Sequence, residues 1–110
     1  MHEIPETVAQ AESLVQKAQA NGQPTTLDAV IAGGLQNWIQ ELLDEGSEGG
    51  YLTAKLSATG LIITDITGQT LYQAKTPTTT ELVPAFKADA HHTLLAVQTT
   101  IRALYARGKL

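Results

Sequence analysis

Three groups of residues in this sequence could do chemistry: the pair His91-His92, the carboxylate Asp65, and the acidic run Glu41, Asp44, Glu45 and Glu48. Adjacent histidines suggest metal binding or proton transfer. On a helix, however, neighbours diverge by about 100°, so one ion does not easily take both. Against an apolar stripe through Ala90 and Leu94, His92 points away and His91 sits on a flank. Asp89 is placed to pair with His92, and only His2 is left to complete a site. These read as solvent-facing histidines.

Asp65 would be the obvious general base of a small enzyme or ligand-binding domain that also used His91 or Tyr72. Its place at the start of Asp65-Ile66-Thr67-Gly68 explains it as a turn residue instead. The acidic run has no companion with calcium-loop spacing and reads as a solvated surface. No nucleophile elbow, zinc-type His-Glu-x-x-His or dinucleotide fingerprint occurs. Cys is absent, which excludes disulfides, thiolate metal sites and thiol catalysis. No catalytic, cofactor-binding or metal residue is assigned, and no cofactor is expected.

The 110 residues suit one domain spanning 1–110, and 43% hydrophobic content supports a modest, mainly aliphatic core. Seven basic against eleven acidic residues give a formal charge of -4, which disfavours broad nucleic-acid binding. Arg102, Arg107 and Lys109 are the local basic exception. The N-terminal residues lack the pattern of a signal peptide, and no apolar run is long enough for a bilayer. A cytoplasmic protein without a membrane partner is the expectation.

The elements that must position these residues are α+β. Pro5 and Glu6 suit a first helical turn, and Val8, Ala11, Val15 and Ala18 follow at helical spacing, so a helix is expected over about 6–20. Asn21-Gly22 is its stop. Thr25 or Thr26 caps a second helix over about 26–45, whose apolar face runs from Leu27 to Leu43 with Trp38 as anchor. Gln36, Gln40 and Asp44 fall on its far side. Gly33-Gly34 implies close approach of another backbone, a helix break or a hinge. A solvated loop is expected over 45–50.

Strands are expected over about 51–57, 61–65 and 69–75, forming an antiparallel meander. Ser57-Ala58-Thr59-Gly60 and Asp65-Ile66-Thr67-Gly68 share a short polar first residue and Gly fourth, the pattern of a type I turn continued into a three-residue loop. That loop would set Leu56 opposite Ile62, Ala54 opposite Thr64 and Leu52 opposite Ile66. Thr64 would then face Thr70, and Ile62 would face Tyr72. This register puts Leu61, Ile63 and Leu71 on the outer face, where an apolar surplus asks for a cover. A long C-terminal helix over about 81–107 carries Phe86, Ala90, Leu94, Val97, Ile101 and Leu104 as its stripe, with Leu95 off it.

The leading expectation is a non-enzymatic protein–protein interaction module: an adaptor, assembly factor or chaperone-like subunit. It would dimerise with itself through the meander face or the C-terminal helix, with Leu61, Ile63, Leu71 and Leu95 as interface candidates. One alternative is a small nucleic-acid-associated regulator using Arg102, Arg107 and Lys109. A second is the enzyme or ligand-binding domain already described. The order helix–meander–helix resembles that of the small dimeric nucleoid-associated proteins of the YbaB type. The resemblance lies in element order alone, so it assigns no residue a role.

Overall fold

Thr7 starts the first helix, because its hydroxyl accepts the Gln10 N–H at 3.1 Å while Gln10 Oε1 accepts the Glu6 N–H at 2.7 Å. The protein is described here by a computed structural model covering residues 4–46 and 51–110. His2 and residues 47–50 of the expected loop, Glu48 among them, lie outside the described residues. The order is α1 (Val8–Ala20), α2 (Leu27–Gly46), β1 (Thr53–Ser57), β2 (Gly60–Thr64), β3 (Thr70–Ala74), α3 (Thr79–Ala88) and α4 (Ala90–Ala106). The strands form one antiparallel sheet in the order β1-β2-β3. This is the expected α+β architecture.

Pro5 and Glu6 precede α1 rather than opening it. Pro5 is buried against α2, where a Cβ on Gly34 would lie 2.7 Å from Pro5 Cδ. Close approach therefore explains Gly34, whereas Gly33 faces open space. The helix runs unbroken through both. At its far end Gly46 leaves room for the Tyr105 ring, whose hydroxyl donates to the Leu43 carbonyl at 3.1 Å. Trp38 is half-buried and ties α2 to α4, its indole N–H donating to the Leu94 carbonyl at 2.9 Å.

The C-terminal helix is interrupted once. Asp89 ends α3 and caps α4, its carboxylate accepting the His92 N–H at 3.0 Å. The apolar stripe continues across this break, so Phe86, Leu94, Val97, Ile101 and Leu104 all reach the core. Periodicity alone therefore made one helix of two. Full burial of each large side chain contributes about 1.5–3 kcal/mol.

The first hairpin corrects the expected register. Ser57 pairs with Gly60, so Ala58 and Thr59 alone form the loop. Leu56 then faces Leu61 and Ala54 faces Ile63. A one-residue slip turns every side chain of a strand to the other face. Leu61 and Ile63 thus join Leu52, Ala54 and Leu56 beneath the helices, both at 0% exposure. The second hairpin is as expected at its loop: Thr64 faces Thr70, the Gly68 N–H donates to the Asp65 carbonyl at 3.0 Å, and Gly68 has φ 88°. Beyond it Leu71 is an extra residue, a bulge that brings Tyr72 opposite Ile63 instead of Ile62.

Candidate interaction surface at the sheet edges

The two edges of the sheet differ in how their backbone groups are satisfied. Along β1, odd residues pair with β2 and even residues turn outward, as an antiparallel strand requires. Two α2 side chains one turn apart meet the outward groups. Gln40 Nε2 donates to the Leu52 carbonyl at 2.8 Å, and its Oε1 accepts the Ala54 N–H at 3.0 Å. Gln36 Nε2 donates to the Ala54 carbonyl, and its Oε1 accepts the Leu56 N–H at 2.6 Å. The primary amides stand in for a fourth strand. Gln36 and Gln40 were expected on the solvent side of α2; they lie instead along the β1 edge.

Among the described residues β3 has no such cover. By the same alternation Ile63 and Leu61 bond Tyr72 and Ala74, which leaves the N–H and C=O of Gln73 directed away from the sheet. No hydrogen bond from another described residue reaches them. Next to this edge a cleft of about 320 Å³ opens between Tyr72 and the helices, lined by Leu82, Ala96 and Val97 together with Glu81, Thr76 and Thr100. The helix layer thus offers apolar surface beyond the last strand. Leu71 and Ile66 are exposed at the same end of the meander, at 37% and 76%.

The remaining interface candidates separate. Leu61 and Ile63 are core residues, and the apolar outer face expected around them does not exist; that face carries Thr53, Lys55, Thr64 and Gln73, with Ile62 half-buried among them. Leu95 is exposed on α4, in a different cleft of about 290 Å³ with Trp38, Glu6, Glu41 and His91.

The residues with potential chemistry are dispersed. His91 and Tyr72 line different clefts. Asp65 sits at the tip of the second hairpin, where Oδ1 accepts the Thr67 N–H at 2.9 Å, the Thr67 hydroxyl at 2.6 Å and the Gln69 N–H at 3.0 Å. The Thr67 hydroxyl, with these backbone N–H groups, holds its carboxyl below the usual carboxylate range. Asp89 bonds the His92 backbone rather than its imidazole. Among the described residues no three His, Asp or Glu side chains gather as a metal site. Arg102 faces Gln98, whose amide oxygen, turned toward it, accepts from Nη1 at 3.0 Å and Nη2 at 2.7 Å. Arg107 and Lys109 are exposed at the α4 terminus. Among the described residues no helix is long and apolar enough to cross a membrane.

No family model, curated protein or solved structure matches the chain. The surface itself is therefore the only guide to function.

The β3 edge was invisible to pattern reading because it depends on the register. Gln36 and Gln40 did carry a signal: amide side chains four apart, on the flank of an apolar helix that precedes a strand.

Proposed function

We propose that this chain is a non-enzymatic protein–protein interaction module, an adaptor, assembly factor or chaperone-like subunit that acts as a homodimer through its meander. The observation that carries this reading is the β3 backbone, uncovered among the described residues, beside a partly apolar cleft and the exposed Leu71. An unpaired strand edge is a ready template for another strand. The side chains around it supply no competing chemistry, since Asp65 is engaged within its own turn. Leu95 on α4 is a separate apolar point for a second partner.

Sedimentation velocity from 1 to about 100 µM tests the homodimer, a range that spans ordinary transient affinities. A concentration-dependent shift to twice the monomer mass is expected. Leu71→Lys weakens it and Leu95→Asp leaves it unchanged. A monomer throughout refutes the homodimer, and the reverse response of the two variants moves it to α4.

A further inference from the structure

We infer that the partner at the β3 edge is the β3 edge of a second copy, paired antiparallel about a two-fold axis through Gln73 to make one continuous six-stranded sheet. This rests on the interaction-module reading and names its partner and geometry.

The outward N–H and C=O of Gln73 are the groups that a neighbouring strand bonds, and an identical strand running the other way returns the same pair. Gln73 therefore meets Gln73 of the partner subunit, and both copies satisfy their free edge in one contact. Tyr72 then lies opposite Ala74 of the partner subunit, on the face that carries the cleft. The half-exposed Tyr72 ring closes over apolar surface that is otherwise open to water.

Charge agrees with self-pairing. From Ile66 to Ala74 the chain carries no charged side chain, so two identical edges meet without repulsion. Lys75 comes opposite Leu71 of the partner subunit, not opposite its own counterpart. The bulge at Leu71 and the charge at Lys75 confine the contact to a short central stretch.

The capped β1 edge is what makes the number two. Gln36 and Gln40 already occupy the Leu52 carbonyl, both Ala54 groups and the Leu56 N–H, so no third copy can add there. One open and one closed edge give an isologous contact that ends at the dimer, where two open edges would give a fibre.

Two measurements test this. Gln73→Lys changes an exposed side chain of the monomer but sets two like charges face to face in the dimer. It should weaken self-association by about tenfold or more while leaving the circular dichroism melt unchanged. The chain has no Cys, so Lys55→Cys accepts a single nitroxide. In the six-stranded sheet the two Lys55 positions are five strand spacings apart, about 24 Å, which pulsed electron resonance reads directly. A dimer that Gln73→Lys leaves intact, with label separations far from this value, overturns the edge pairing yet keeps the interaction module. A wild-type monomer at every concentration overturns both.

Discussion

At the scale of the residue, Asp65 shows how a candidate catalytic group is fully employed by structure. Its three accepted hydrogen bonds require the ionised carboxylate to be the better acceptor, which depresses its pKa in the folded state. The sign follows from that depression. The added stability is fully present above the unfolded value near 3.8 and is lost as pH falls through the lower folded value. Asp65→Asn should therefore lower the neutral plateau of a urea-midpoint profile and flatten the acid limb below about pH 4, so that variant and wild type converge in acid. An acid limb identical to wild type would assign that limb to other carboxylates. The same residue explains what could and could not be read in advance. Its turn chemistry was legible from Asp65 and Gly68. The similar cassette Ser57–Gly60 closed one residue sooner: the Ser57 hydroxyl accepts the Thr59 N–H at 3.2 Å and reaches no farther than Gly60, whereas the Asp65 carboxylate reaches on to Gln69.

At the scale of the element, the consequence of that one residue is large, because parity decides which side chains are buried. Burying Leu61 and Ile63 removes two large apolar groups from water where the expected register would bury only Ile62. That comparison was available in the sequence, since the true register turns Thr64 outward in place of Leu61 and Ile63. The break at Asp89 was less legible: a stripe spaced by threes and fours runs straight through it. Only the capping preference of Asp argues for a stop there. Asp89→Ala should cost about 1 kcal/mol, seen as a melting point lower by several degrees. No loss would mean that packing between α3 and α4, not the cap, sets the break.

At the scale of the whole molecule, the helix order and the meander followed from local pattern, but the contrast between the two sheet edges did not. It arises where α2 runs alongside β1, a tertiary contact between residues 12–20 apart in sequence. Replacing Gln36 and Gln40 together by Met should destabilise the protein by about 2–4 kcal/mol, because four hydrogen bonds to the β1 backbone are lost. It should also open a second edge, so light scattering should find species larger than the dimer. A destabilised variant that stays at the dimer would show that the amides support β1 without limiting assembly.

The seat of Pro5 against Gly34 bears on a different property, the order in which the protein comes apart. Helix α1 packs chiefly on α2 and places Ala11 alone among its residues at full burial. Pro5 is thus the latch of a weakly held segment, and local opening should release α1 while the sheet and α2 stay intact. Amide hydrogens of α1 should exchange by this undocking, well ahead of those in α2 and β2. In Pro5→Gly the gap should widen, with α1 exchange accelerated and β2 exchange little changed. Equal acceleration in both would make α1 part of a single cooperative unit.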